Sequence, residues 1–282
     1  MTAKKLGYHS FMRLFGYVGM TAGVLATTSA FAATGSALNR EELSPTDRSG
    51  YEIVAAAEQT YDGFGSEFRE LTLTLSDATG RESQRKLEYR SLEGERRDDK
   101  TVIRFTAPVN VDGARLLTHE IPGESDLRWI YLPELGRVRR IASADQSGSF
   151  MGSEFAYEDL SMRELDEFIF TMLGKAECGE KECYVYQAEP KNKDSGYSNI
   201  LRWRYADNYQ EYRSEYYDRR GDLLKVRLIS GYRQVEGNWR PEKIVMENVQ
   251  TRRVSTLVYH NLDFDIDVHE RQFSSRRLDS DF

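Results

Sequence analysis

Runs in which apolar and polar residues alternate, separated by turn residues, recur along most of this chain. Leu71, Leu73 and Leu75 alternate with Thr72 and Thr74, and Leu87 and Tyr89 continue the pattern. A period of two places successive side chains on opposite faces, which is the signature of a half-buried strand. Val102–Phe105, Ala114–His119, Leu127–Leu132 and Arg137–Ile141 read in the same way. In the second half Cys183–Ala188, Asn199–Tyr205, Glu211–Tyr217, Leu223–Ser230, Lys243–Glu247 and Val254–Tyr259 repeat it. Pro108, Pro122-Gly123 and Pro133 fall between the runs, where proline suits turns and strand ends. Arg219-Arg220-Gly221-Asp222 and Glu236-Gly237-Asn238 are hairpin turns. So many strands with such short connections predict a mainly β fold of the α+β kind, built on one antiparallel sheet that curves strongly or closes on itself.

Two helices are expected to interrupt the meander. Tyr51–Thr60 places Ile53, Val54 and Ala57 on one face and acids on the other. Ser161-Met162-Arg163-Glu164 matches a capping box, and Leu165, Phe168, Ile169 and Met172 follow at helical spacing, ended by Gly174. Just before this second helix lies Ser147-Gly148-Ser149-Phe150-Met151-Gly152-Ser153-Glu154-Phe155. A small-residue loop bearing large apolar side chains needs a surface to bury them. Phe150 and Phe155 either plug the sheet core or contact a cargo.

The amino terminus reads as an export signal. Lys4, Lys5 and Arg13 precede an uncharged stretch from Leu14 that ends in Ala30-Phe31-Ala32-Ala33, which predicts cleavage after Ala32. An uncleaved anchor is the rival, although Gly16, Gly19 and Gly23 dilute the stretch. The predicted organisation is thus a signal at 1–32, a polar linker at 33–49 and one domain at 50–282. Loss of the three signal cations takes the net charge from −7 to about −10. An acidic mature chain argues against general nucleic-acid binding, whose affinity comes from neutralising phosphates. In an oxidising compartment Cys178 and Cys183, which flank Gly-Glu-Lys-Glu, read as a disulfide closing a hairpin.

Catalytic patterns fail one by one. His119, His260 and His269 are isolated, and Gly148-Ser149-Phe150-Met151-Gly152 has its serine out of place for a nucleophile elbow. Asp263, Asp265 and Asp267 resemble a calcium loop until Val268 and Ser274 occupy the glycine and glutamate positions. No metal or cofactor is expected. Glu154 and Asp159, near the apolar loop, are the best carboxylates for an enzyme acting on envelope lipids or glycans.

Several segments resemble a known family. Ala107-Pro108-Val109-Asn110-Val111-Asp112-Gly113-Ala114, Trp129-Ile130-Tyr131-Leu132-Pro133 and Arg137-Val138-Arg139-Arg140-Ile141 are similar to the LolA-like outer-membrane lipoprotein-sorting proteins. Ser149–Glu154 followed by Phe155-Ala156-Tyr157-Glu158-Asp159-Leu160 is the most specific part, and Tyr217–Gly221 and Val245–Asn248 add to it. The resemblance spans residues from about Tyr51 to the carboxyl terminus.

The resemblance implies an unclosed antiparallel half-barrel with covering helices and an apolar cavity between them. It implies a periplasmic carrier of lipid or lipoprotein acyl chains toward the outer membrane, with transient membrane contact. An inner-membrane transporter of the resistance-nodulation-division type is the implied partner. Trp129 and Tyr131 are expected to point into the cavity, joined by Phe150, Met151, Phe155, Leu165, Phe168, Ile169 and Met172 as cargo contacts. The alternative is an envelope-stress sensor that binds a protein partner on the same scaffold.

Overall fold

A computed structural model of the protein describes residues 43–161 and 165–280. The expected signal, the first part of the expected linker, and Met162, Arg163 and Glu164 of the expected capping box lie outside the described residues. The chain opens with helix α1 (Gly50–Gln59). Ser49 accepts a hydrogen bond from the Glu52 amide at 3.2 Å, and the Glu52 carboxylate accepts one from the Ser49 amide at 2.7 Å. This reciprocal cap satisfies amides that a helix start otherwise leaves open. Ile53, Val54 and Ala57 are buried, as the sequence pattern predicts.

Among the described residues fifteen strands follow in the element order. The first six are β1 (Ser66–Ser76), β2 (Glu82–Leu92), β3 (Lys100–Ala107), β4 (Arg115–His119), β5 (Leu127–Leu132) and β6 (Arg137–Ile141). After a long connection come β7 (Phe168–Cys178), β8 (Lys181–Pro190), β9 (Tyr197–Tyr205), β10 (Glu211–Asp218) and β11 (Leu223–Ser230). The chain closes with a short hairpin, β12 (Arg233–Val235) and β13 (Asn238–Arg240), then β14 (Lys243–Asn248) and β15 (Arg253–Phe264).

Thirteen of these strands form one sheet in the order β6-β5-β4-β3-β2-β1-β15-β14-β11-β10-β9-β8-β7. Every pairing is antiparallel, from Leu71 opposite Leu87 to Leu73 opposite Leu257. The edges β6 and β7 do not pair, so the sheet is an unclosed half-barrel. These edges are nonetheless consecutive in sequence. The described part of the connection between them that follows β6, residues 142–161, crosses the inner face of the sheet and forms a strap over it.

Alternation assigns the two faces. Leu71, Leu73, Leu87, Phe105 and Leu116 point inward to the main core, which α1 and the strap complete. On the outer face Val185, Leu201 and Trp203 pack on Cys178 and Cys183. These cysteines are bonded across the β7–β8 hairpin with their Cα atoms 5.9 Å apart. A third cluster joins Val102 and Leu117 to Phe273 and Leu278 of the carboxyl-terminal segment.

Two expectations are corrected here. The segment predicted as a helix from Ser161 is strand β7 from Phe168 onward, paired with β8 with one register shift between Met172 and Gly174. Phe168-Ile169-Phe170-Thr171-Met172 is a short apolar run whose residues satisfy a period of two as readily as 3.6, and strand pairing decides. Gly174 does not end a helix. A Cβ there would lie 2.6 Å from the Ser44 carbonyl oxygen, so glycine permits the close approach of another backbone. That approach is the second correction: Ser44 exchanges two hydrogen bonds with Lys175, both 2.9 Å, so part of the expected linker belongs to the fold.

Candidate functional site

The strap positions the most specific sequence motif over the inner face. The Phe150 amide donates to the Phe155 carbonyl at 2.7 Å, closing a tight loop at its tip. Met151 sits in the left-handed region at φ 51°, a conformation that costs a non-glycine residue energy and is kept only where contacts hold it. Arg85 from β2 donates to the Met151 carbonyl, and Arg253 from β15 donates to the Gly152 carbonyl at 3.1 Å. Inside this frame Phe150 and Phe155 are almost fully buried. Phe150 packs on Phe105 of β3 with ring centroids 5.6 Å apart.

Carboxylates latch the strap to the opposite wall. Glu154 accepts from Asn248 at 2.9 Å and pairs with Arg253 at 3.0 Å, while its amide donates to Ser255 Oγ at 2.9 Å. Asp159 accepts from Lys225 at 2.9 Å and from the Tyr197 hydroxyl at 2.7 Å. Glu158 accepts from the Ser195 hydroxyl at 2.7 Å and the Gly196 amide at 3.0 Å. Burial pushes the Glu158 carboxyl upward, and it pushes the Tyr197 phenol well up, with Asp159 and Glu158 adding to that rise.

Beneath the strap lie two cavities that share Asp159, Ser161 and Arg227 in their linings. The apolar one measures about 200 Å³ and is lined by Leu71, Leu87, Ile103, Phe150, Phe155 and Leu257 among others. The polar one measures about 430 Å³ and opens between the strap and the β4–β5 and β8–β9 turns.

The inner face is therefore two-sided in chemistry. Leu71, Leu87, Ile103 and Leu116 of β1 to β4 supply an apolar floor, whereas β9 to β11 and the start of β1 supply charge. Glu211 takes hydrogen bonds from Arg202 at 2.9 Å and from Arg227 at 2.8 and 2.7 Å. Burial pushes its carboxyl up, but Arg227, Arg202 and Arg204 outweigh that and hold it at about 2. A second buried carboxylate, Glu67, binds Arg69 and takes three contacts of 3.0–3.2 Å from Arg240. Such pairs are the arrangement that lets charge persist away from water.

An outer membrane lipoprotein-sorting protein domain from Vibrio parahaemolyticus shares this architecture. It is 34% identical over 82% of this chain and 98% of its own, with a TM-score of 0.79. The chain belongs to the LolA-like outer-membrane lipoprotein-sorting family. A DUF1329 family protein from Desulfovibrio piger is 25% identical over 81% of this chain and 97% of its own, TM-score 0.77. A LolA superfamily protein from Nitrosomonas europaea shares the fold at 18% identity, covering 80% of this chain and 98% of its own, TM-score 0.66. A family model described as that of an uncharacterized protein matches residues 97–280. No curated protein matches the chain.

In this LolA-like chain the residues singled out from sequence divide. Phe150, Met151, Phe155, Leu165, Phe168 and Met172 all pack on or within the main core under the strap. Ile169 does not join them; it is 57% exposed on the outer side of β7, because a strand alternates where a helix would have kept it beside Phe168. Trp129 and Tyr131 are also on the outer face, packed with Phe273 and Leu278, and Ile130 and Leu132 are the inward pair. The parity of β5 is as expected and its side is reversed, because the carboxyl-terminal segment provides an outer cover for the aromatic pair. Sequence reasoning missed the buried arginines. Arg202 and Arg204 alternate with Leu201 and Trp203, and the apolar members face outward to the disulfide cluster.

Proposed function

We propose that this protein is a periplasmic carrier that shields lipid or lipoprotein acyl chains on their way to the outer membrane. The chain enters the periplasm behind a signal removed after Ala32, and it performs no catalysis. The observation that carries this function is the strap, which lays Phe150 and Phe155 across an apolar floor between two sheet edges that do not pair with each other.

An acyl chain needs such a cover, because each buried CH₂ gains roughly 0.8 kcal/mol, or roughly 12 kcal/mol for sixteen carbons. That corresponds to about nanomolar affinity before ordering costs. Small-molecule sites measure about 300–1,000 Å³, and the apolar cavity, at about 200 Å³, is smaller. Loading therefore displaces the phenyl groups of Phe150 and Phe155, which occupy the middle of the floor, and the strap is the element that moves. Its latches are a few polar contacts at Glu154 and Asp159, strong enough to close the empty carrier and few enough to release together. Both carboxylates are engaged in those contacts, which supports a binding role over a hydrolytic one. The donor on this account is an inner-membrane transporter, of the resistance-nodulation-division type.

A fluorescent acylated peptide titrated into the purified mature protein tests the function. Saturable binding that is competed by unlabelled acylated peptide or phospholipid is expected. Absence of binding at micromolar concentrations of both would overturn it.

A further inference from the structure

The polar cavity is the less expected of the two, and its chemistry is ordered in space. At its inner end, where Arg227 and Asp159 also line the apolar cavity, the floor is Arg202, Tyr216 and Arg227 from β9, β10 and β11, and the Asp159 carboxylate is paired with Lys225 at 2.9 Å. Tyr216 is 1% exposed, and among the described residues its hydroxyl has no hydrogen-bond partner. Arg128, also 1% exposed and lining the same cavity, has an Nε in the same condition. Leaving a buried polar atom unpaired costs about 1–3 kcal/mol, which an acceptor on a ligand would recover. Burial raises the Tyr216 phenol, so its hydroxyl remains a donor. At the outer end the lining changes to the exposed carboxylates Glu124 and Asp166, with one cation, Lys191, whose ammonium donates to the Asp166 backbone carbonyl at 2.9 Å and leaves both carboxylates facing the cavity mouth.

From the inside outward the sequence of environments is thus apolar, then guanidinium and phenol, then a rim in which carboxylates outnumber the single lysine. A glycerophospholipid with an ammonium at its tip presents matching groups in the same order: acyl chain, phosphodiester, ammonium. Two guanidinium charges face one carboxylate here, Glu211, which takes two donors of Arg227 and one of Arg202, so the floor keeps an excess positive charge that suits a phosphate, and an ammonium has only donors and so requires acceptors. A volume of about 430 Å³ lies within the range of small-molecule sites.

We propose that the polar cavity is the head-group site of an ammonium-bearing phospholipid, with phosphate on Arg202, Tyr216 and Arg227 and ammonium toward Glu124 and Asp166. This rests on the carrier function and names its cargo class. An anionic glycerol head group would set its outer end against the carboxylates with no positive charge to offer them. A trimethylated head group would keep the charge and lose the N–H donors.

The test uses the mature protein, incubated with vesicles of equal phosphatidylethanolamine and phosphatidylglycerol, re-isolated by gel filtration and extracted for lipid. The site predicts one phosphatidylethanolamine per chain and a preference of about tenfold over phosphatidylglycerol, equivalent to about 1.4 kcal/mol. Tyr216→Phe removes only a hydroxyl, so it should leave the melting temperature unchanged and lower the retained phosphatidylethanolamine several-fold. The double variant Glu124→Gln, Asp166→Asn, both at exposed positions, should erase the preference. Lipid retained without head-group preference would overturn the assignment and leave the carrier intact. Preference for phosphatidylglycerol would overturn it too, and retention of neither lipid nor acylated peptide would remove both.

Discussion

Lys225 Nζ lies 2.9 Å from Asp159 Oδ2, with the two side chains only 7% and 1% exposed, and so pins the strap to β11. The same ammonium donates to the Glu154 carbonyl at 3.0 Å and sits 5.0 Å from the Tyr197 ring centroid. Removing one partner of such a pair leaves the other buried and uncompensated. Lys225→Met is expected to destabilise the protein by about 3–5 kcal/mol and to speed amide exchange across residues 148–160 ahead of the rest. Denaturant melts and hydrogen exchange would check this. Strap amides that exchange no faster than in the parent would show that the pair is not the latch.

Phe150 fills the space between Phe105 and Tyr157, 5.6 and 5.8 Å away by ring centroids. Phe150→Ala is expected to cost about 3–5 kcal/mol, as deletion of a buried ring usually does. On the carrier account the same variant frees floor area, so acylated peptide should bind faster relative to the parent. Stopped-flow fluorescence would read the association rate, and a slower rate would argue that Phe150 is a cargo contact instead of a plug.

Glu211 sets an acid dependence whose sign follows from its position. With its carboxyl at about 2 in the fold, against 4.5 for the ordinary group, ionised Glu211 stabilises the native state fully above about pH 4.5. That stabilisation is lost as pH falls toward 2. Glu211→Gln should lose about 3–5 kcal/mol near neutral pH and show a flatter decline of stability in acid. Urea melts at about pH 7 and about pH 3 would compare them; parallel declines in parent and variant would contradict the pairing.

The outer face offers a contrasting case. Trp129 stacks edge-on to His119 at 5.0 Å, and His119 Nε2 lies 2.7 Å from the Phe273 carbonyl oxygen. Burial holds the His119 imidazole below its usual value. Phe273→Ala should lower stability by about 3–5 kcal/mol, as loss of a fully buried ring does, and Trp129→Ala, at a half-buried position, by less, both with acyl binding unchanged. Weaker binding in Trp129→Ala at temperatures where it remains folded would put that residue back in the site.

Most strands and α1 are legible in the sequence because burial of one face imposes a period that composition cannot hide. Leu71, Leu73 and Leu75 leave no other arrangement for β1, and Ile53, Val54 and Ala57 leave none for α1. Strand β7 is ambiguous in the sequence because Phe168, Ile169 and Phe170 are apolar on consecutive positions, so only its partner β8 decides the period. For Trp129 and Tyr131 alternation identifies a face without saying which side is interior. That depends on the distant segment bearing Phe273 and Leu278. The buried charges are the least legible part. Arg202 and Arg227 look like solvent-facing residues until Glu211, on a neighbouring strand, supplies their partner, and such pairing has no local spacing. The motif from Ser149 to Leu160 was readable as a site, yet its division into plugs at Phe150 and Phe155 and latches at Glu154 and Asp159 emerges only from its contacts across the sheet.

The most direct test of the carrier account is native mass spectrometry, with lipid extraction, on protein purified from the periplasm without detergent. A stoichiometric lipid or acylated peptide on the mature chain beginning at Ala33 is the predicted result. A bare chain that also ignores added phospholipid and acylated peptide would contradict the account, and would turn the search to a protein partner read by the same scaffold.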